Sequence, residues 1–359
     1  MCRSTHRHSL HCILPPYILS QIAKNGSPEL RAMAVRSLLI DPTMRLVRAS
    51  TAGPVTGAIA RRRAAAATIL TPGPLRTIRD AGGEAEAPGA KVVRREGDAP
   101  TGDPAVDEAY DGLGATFALF WDAYRRNSID DAGMPLDATV HYDQDYDNAF
   151  WDGSQMVFGD GDGELFNRFT ISLDVIGHEL THGVTEKEAG LAYFNQSGAL
   201  NESISDVFGS LVKQHLLGQA ADQADWLIGA ELLTAKVRGV ALRSMKAPGT
   251  AYDDPVLGKD PQPAHMDDFV RTNQDNGGVH INSGIPNRAF YLVATAIGGN
   301  AWDRAGQIWY NALLDPNTRA NTDFAGFARV TIEVAARLYG SGSAEAKAVT
   351  KAWSAVGVI

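Results

Sequence analysis

The chain has 359 residues, 44% of them hydrophobic and 21% charged, a balance that fits a soluble globular protein and excludes a disordered or fibrous one. It is too long for one small core, so two or more domains are expected, and no run of about 18 apolar residues offers a transmembrane helix. The net charge of −9 is unevenly placed: residues 1–65 carry ten Lys/Arg against two acids, net +8, which leaves −17 for the remainder.

A basic head on an acidic body suggests docking within one molecule. Nucleic-acid binding competes as a reading, but there is no aromatic interleaving and no known module, and the acidic body would repel phosphates. The apolar stretch from Leu10 to Leu19 is broken by Pro15 and Pro16 and lacks the cleavage site of a secretory signal. Cytoplasmic synthesis is therefore expected, with export by a route that needs no cleaved signal left open. The two cysteines, Cys2 and Cys12, both lie in this head, so the body holds no disulfide. Two ordinary thiols and a thiolate that ligates a metal in a latent form both remain open for them.

Apolar periodicity over residues 17–40 predicts two short helices broken at Asn25-Gly26-Ser27-Pro28. Residues 49–66, rich in Ala, Gly, Thr and Arg, predict an exposed linker, and Arg61-Arg62-Arg63 within it predicts a solvated patch. Residues 67–100 look β-rich, with turns at Pro72-Gly73-Pro74 and Gly82-Gly83. A helix is predicted over 104–127, capped by Asp103, then short strands near 139–142 and 156–158. Gly159-Asp160-Gly161-Asp162-Gly163 lacks the closing Glu of an EF-hand and predicts a tight turn. Helices are predicted over about 172–187, 197–217, 284–299, 302–314, 323–338 and 343–354.

The chemistry concentrates on the first of these late helices. His178-Glu179-Leu180-Thr181-His182 reads H-E-x-x-H, which puts two imidazoles one helical turn apart on one face. Both can reach one Zn²⁺, with Glu179 beside the open metal position, where it can take a proton from water. Alone, the pattern also arises on ordinary solvated helices. Glu202, at the start of the next predicted helix, can bring a third ligand. Asn201 and Asp206 flank it where they can accept hydrogen bonds from the outer ring nitrogens of zinc-bound histidines.

Further motifs occur in order: Asn148-Ala149-Phe150-Trp151, the Gly/Asp turn at 159–163, Gly190-Leu191-Ala192-Tyr193, Asn201-Glu202 with Ser205-Asp206, Leu242-Arg243-Ser244-Met245, and Gln274-Asp275-Asn276-Gly277-Gly278-Val279-His280. From about residue 100 to the C-terminus the chain resembles the thermolysin-like zinc metalloproteases. The head, with Ile13-Leu14-Pro15-Pro16-Tyr17, resembles the short propeptide of the protealysin-like subgroup. The resemblance implies an α+β, two-domain fold: a β-rich N-terminal domain and a mainly helical C-terminal one, with the zinc helix between them. It divides the chain into a prosegment at 1–50, an N-terminal catalytic domain at 51–184 and a C-terminal catalytic domain at 185–359.

It also implies roles. His178, His182 and Glu202 bind Zn²⁺, and Glu179 activates water. Zinc, Tyr193 and His280 stabilise the oxyanion, and Asp275 holds His280 and favours its protonated form. Asn148, the Ala149 backbone and Arg243 hold the substrate chain. Phe166, Phe169, Val175, Ile228, Leu232 and Leu242, otherwise readable as plain core, line the pocket after the cut, which implies cleavage before Leu, Phe or Ile. The partners are then peptide or protein substrates and the chain's own prosegment docking in cis, on a monomer that binds neither nucleic acid nor membrane.

Calcium is the departure. Where many relatives place carboxylates for a double calcium site, this chain has Lys213, Leu227 and Ala230, while Asp174 and Asp225 remain. An ammonium repels Ca²⁺, so Lys213 is expected to occupy the ion's place and pair with Asp174. Two readings compete with the endopeptidase. A zinc aminopeptidase needs an amine-binding motif such as G-x-M-E-N, which is absent from the sequence. A catalytically dead scaffold would not need Glu179, Tyr193 and His280 intact.

Overall fold

The computed structural model describes residues 11–51 and 72–359. The head forms a short strand β1 (His11–Cys12) and two helices, α1 (Pro16–Asn25) and α2 (Pro28–Thr51). The expected break at 25–28 is there, but the second helix runs on to Thr51. Most of the expected linker, with Arg61-Arg62-Arg63, lies outside the described residues, as does Cys2.

The body opens with β2 (Arg76–Asp80) and β3 (Lys91–Arg95), followed by α3 (Pro104–Tyr124), β4 (Leu136–Val140), β5 (Ala149–Trp151) and β6 (Met156–Phe158). Asp103 caps α3 as expected: its carboxylate accepts from the Ala105 and Val106 amides, and Pro104 occupies the first turn. Helices then dominate: α4 (Leu173–Lys187), α5 (Asn195–Leu217), α6 (Asp275–Asn282), α7 (Gly284–Ile297), α8 (Ala305–Leu313), α9 (Phe324–Tyr339) and α10 (Ala344–Ala355). Two-stranded pairings between α5 and α6 include Leu227–Ile228 with Arg243–Ser244. This is the two-domain arrangement expected, a β-containing N-terminal part and a helical C-terminal part.

The main sheet has the order β1-β5-β6-β4-β2-β3. Its edge strand is therefore supplied by the head, with β1 antiparallel to β5 and Cys12 opposite Phe150. Added strands of this kind gain main-chain hydrogen bonds, and their alternate side chains gain pockets. Ile13, Leu14, Ile18, Leu19 and Ile22 are each 2% exposed or less. Burying five such side chains stabilises docking by roughly 8–15 kcal/mol as an upper bound. The ion pair of Arg36 with Asp143 at 3.7 Å is largely exposed on the Arg side and contributes about 0.2–1 kcal/mol. Apolar burial, rather than the basic-on-acidic attraction expected from composition, dominates the described part of this interface.

Helices α4 and α5 cross at a glycine contact. A Cβ on Gly209 would stand 2.3 Å from the Asp174 carbonyl oxygen and 3.0 Å from the His178 amide nitrogen, and one on Gly177 would stand 3.0 Å from the Gly209 Cα. Two facing residues without side chains let the backbones approach closely, and that approach brings Glu202 and Asp206 up to His178 and His182.

The Gly/Asp turn is tight, as expected. Asp162 Oδ1 accepts from the amides of Glu164, Leu165 and Phe166 at 2.7–2.9 Å. It is tied to the start of α3 by His141, whose Nδ1 lies 2.8 Å from Asp160 and whose Nε2 lies 3.1 Å from Asp103. Asp160 chiefly, then Asp103, outweighs partial burial and raises the imidazole to about 9. A group raised above its unfolded value stabilises the fold fully below about pH 6.5, and this stability is lost as pH rises through about 9. Asn tolerates the left-handed backbone found at His141 (φ 54°). His141→Asn is thus expected to cost about 1–2 kcal/mol at pH 6, allowing for solvent screening. The difference from wild type should shrink to nothing above pH 10; urea melts at both pH values check this, and a cost independent of pH would contradict it.

Candidate active site

The imidazoles of His178 and His182 project from one face of α4, as the i, i+4 spacing requires, and both are fully buried. Their Nε2 atoms lie 3.0 Å apart. Glu202, about two turns into α5, is 3.5 Å from each of them, through Oε2 to His178 and Oε1 to His182. Among the described residues, these three form the group whose ligand atoms converge enough to hold a metal ion.

The outer nitrogens fix the tautomers. His178 Nδ1–H donates to Asp206 Oδ1 at 2.7 Å, and His182 Nδ1–H donates to Asn201 Oδ1 at 2.8 Å. Both Nε2 atoms then present lone pairs to one another, with no proton to place between them. Glu202 Oε2 is also buried without a hydrogen bond. Two facing lone pairs and an orphaned carboxylate oxygen are a donor set that a Zn²⁺ ion satisfies.

Asp206 serves both sides of the site. It takes a bidentate pair from Arg243, Nε to Oδ2 at 2.9 Å and Nη2 to Oδ1 at 2.7 Å, and a further bond from Asn287 Nδ2 at 2.8 Å. Burial works to raise its carboxyl, but Arg243 and then His178 outweigh burial and hold it well below the usual range.

Glu179 lies between the two histidines in sequence. Its Oε2 accepts from the Trp151 amide of β5 at 3.1 Å, while Oε1 is buried with no partner. Burial, and secondarily the charge of Glu202, push its carboxyl well above the ordinary value.

His280 sits on α6, where the sequence reading places no helix. Asn276, Gly277 and Gly278 carry φ of 50°, 85° and 79° inside that element, which breaks the 3.6-residue periodicity. The resulting turn lets Asp275 accept from both the His280 amide at 2.9 Å and ring Nδ1 at 2.6 Å. Burial works to lower this imidazole, yet Asp275 and then Glu202 raise it to about 9. Its Nε2 faces the Tyr193 hydroxyl at 3.1 Å, and that hydroxyl donates to Glu202.

The head enters this cleft. The Ile13 amide donates to the Ala149 carbonyl at 3.2 Å, and the Leu14 amide to Asn148 Oδ1 at 3.0 Å. Arg243 Nη1 donates to the Ile13 carbonyl at 3.1 Å, and His280 Nε2 lies 3.2 Å from the Cys12 carbonyl. Cys12 thus reaches the site through its main chain. Its side chain packs with Tyr142, Tyr146, Phe150 and Val157 in a cluster of its own, and it is not part of the metal-holding group. Phe166, Phe169, Val175, Ile228, Leu232 and Leu242 are all fully buried.

Away from the cleft, Lys213 Nζ lies 3.1 Å from Asp174, 2.9 Å from Asp225 and 3.9 Å from Glu231. Burial opposes its charge, but Asp174, Asp225 and Glu231 together raise the ammonium well above its ordinary value. The sequence reading names Asp174 as the partner and misses Glu231, which also accepts from Ser172 Oγ at 3.1 Å. It also misses Ser205, 3.0 Å from His182 Nδ1, and Asn287. Ser205 lies inside the Ser-Asp motif already singled out, whereas Asn287 has no local signal, since it meets Asp206 from 81 residues away.

A buried two-histidine, one-glutamate centre with a carboxylate beside it that keeps one oxygen unpartnered, set against the edge of a sheet, defines a zinc metallopeptidase. Comparisons with known proteins give the family. The pattern of the thermolysin metallopeptidase catalytic domain matches residues 77–186, and that of its α-helical domain matches residues 189–358. The chain belongs to the thermolysin family and is a zinc metalloendopeptidase. It is 54% identical to an extracellular metalloprotease of Pectobacterium carotovorum subsp. carotovorum, over 96% of each chain. It is 49% identical to Protease PrtS of Photorhabdus sp. (strain Az29), over 96% of this chain and 91% of that one. The solved precursor of protealysin, a metalloproteinase from Serratia proteamaculans, superposes with a TM-score of 0.86 at 53% identity, covering 97% of this chain and all of that one. No helix among the described residues is long and apolar enough to cross a membrane.

Proposed function

We propose that this chain is the latent precursor of an endopeptidase that cuts peptide bonds before large apolar residues. The observation that carries this reading is the head's own main chain, held in the cleft by the groups expected to hold a substrate: Ala149, Asn148, Arg243 and His280. His178, His182 and Glu202 would hold zinc, which supplies Lewis acidity and a water of lowered pKa when bound. Glu179 accepts that water's proton at Oε1 and passes it to the leaving nitrogen. Tyr193 and protonated His280 donate hydrogen bonds to the oxygen on which charge develops, and Asp275 keeps the His280 ring turned toward it. Arg243, fixed by Asp206, binds the carbonyl one residue beyond the cut. Asn201 and Asp206 keep the histidine rings turned toward the metal.

Phe166, Phe169, Val175, Ile228, Leu232 and Leu242 form the pocket for the residue after the cut. Cleavage of a random peptide library should therefore fall mainly before Leu, Phe or Ile, and a majority of cuts before charged residues would contradict the pocket. The working division of the chain is a prosegment at 1–50 and catalytic domains at 51–184 and 185–359, acting as a monomer on peptide or protein substrates. Lys213 stands in for calcium: its ammonium binds Asp174, Asp225 and Glu231 as a cation would, with Leu227 and Ala230 offering no ligand. An extracellular destination is the localisation that fits the relatives named as extracellular proteases.

A further inference from the structure

We propose that the Cys12–Ile13 peptide bond is a site at which the enzyme cuts itself, in cis, within the latent chain. The inference rests on the peptidase reading above and adds a bond, a direction and an order of events to it. Both ends of this one peptide unit are held: its N–H by the Ala149 carbonyl at 3.2 Å, its C=O by His280 Nε2 at 3.2 Å. The next carbonyl, of Ile13, goes to Arg243 at 3.1 Å, and the next amide, of Leu14, to Asn148 at 3.0 Å. The groups read in the order oxyanion donor, edge-strand acceptor, carbonyl clamp and amide acceptor, which fixes the chain's polarity as that of a substrate. A plug running the other way would offer these partners the wrong backbone groups.

The side chains agree with this register. Ile13, at the residue after the bond, is fully buried and is an apolar side chain of the kind the proposed pocket takes. Glu179, the buried carboxylate with an unpartnered oxygen, is anchored on the Trp151 amide, and Trp151 is paired with His11 just upstream of the bond. In the step, water adds its oxygen to the Cys12 carbonyl carbon and the bond from that carbon to the Ile13 nitrogen breaks. Cys12 ends as a carboxylate and the nitrogen leaves as the Ile13 amine, with the proton carried by Glu179. No other reactant is consumed.

The cut does not free the prosegment. Ile13, Leu14, Ile18, Leu19 and Ile22 lie on the retained side and stay buried, and Pro15 and Pro16 stiffen the chain that joins them. Release of residues 1–12 also removes both of the chain's cysteines, so the nicked protein carries no thiol. Nicking therefore precedes activation, which needs a second cut expected between about 45 and 65.

The test uses the full-length chain, purified with a zinc chelator, with the reaction started by adding zinc. Intact mass is followed at two protein concentrations tenfold apart, with casein hydrolysis in parallel. Expected are loss of residues 1–12 ahead of any cut at 45–65, equal half-times at both concentrations, and no loss in Glu179→Ala. A thiol label applied after denaturation should then be found only on the small peptide. Casein hydrolysis with the Cys12–Ile13 bond intact would overturn this proposal and leave the peptidase reading standing. A half-time that shortens tenfold at the higher concentration would overturn cleavage in cis. No cut anywhere and no casein hydrolysis would overturn both. A readout independent of catalysis is hydrogen exchange on zinc-loaded Glu179→Ala. The Ile13 and Leu14 amides should be protected there and lose protection in the added Ile13→Asp; free exchange of both before that change would overturn the register.

Discussion

Glu179→Gln in the processed chain should lower kcat on a peptide by about 10²–10⁴-fold, the usual contribution of a positioned acid–base group, while bound zinc is unchanged. The carboxylate is not among the atoms that converge on the metal; it makes one bond, from the Trp151 amide to Oε2, and Oε1 is left buried and unpartnered. An amide side chain keeps the size and can still accept from Trp151, but it takes no proton from water. The loss should therefore fall on kcat, with KM moved little, since the groups that hold the substrate chain are untouched. Metal analysis alongside steady-state kinetics checks this. A variant that lost zinc in step with activity would make Glu179 a structural support of the metal site instead.

Lys213→Ala is expected to destabilise the body by about 3–5 kcal/mol, the usual consequence of stripping one partner from a buried ion pair. Asp174 is fully buried at the start of the zinc helix and also accepts from the Gly229 amide at 2.9 Å and from Ser172 at 2.8 Å. Removing the ammonium leaves that carboxylate with hydrogen bonds but no counter-charge. If Lys213 replaces calcium as proposed, the wild-type thermal midpoint should hardly change with EGTA, because these carboxylates already have a cation beside them. A midpoint that drops by many degrees on calcium removal, with a silent Lys213→Ala, would reverse the assignment.

The zinc centre was legible because its geometry is local. His178 and His182 share a helix face by spacing alone, and Glu202, Asn201 and Asp206 cluster within the first turns of the next helix. Lys213 was legible by contrast, as a cation where carboxylates were expected. What could not be read depends on distant approach. The pairing of β1 with β5 involves two residues opposite a strand more than a hundred positions away, too short for any alternation to show. Asn287 on α7 reaches Asp206 on α5 from 81 residues away, and Glu231 joins Lys213 through a turn whose path is set by tertiary packing. The α6 segment escaped because four consecutive residues of positive φ, Asp275 to Gly278, interrupt its periodicity. The surroundings of Cys12 follow from strand register, which directs its carbonyl to His280 and packs its side chain with Tyr142 and Phe150.

The most direct measurement of the central claim is peptide hydrolysis by the processed chain, stripped of metal and then titrated separately with zinc and with calcium. Activity that returns in proportion to about one zinc per chain, is indifferent to calcium and is absent in Glu179→Gln is the result predicted. Hydrolysis that persists in fully zinc-free protein, or a zinc-saturated and processed chain that cleaves no peptide, would contradict the account.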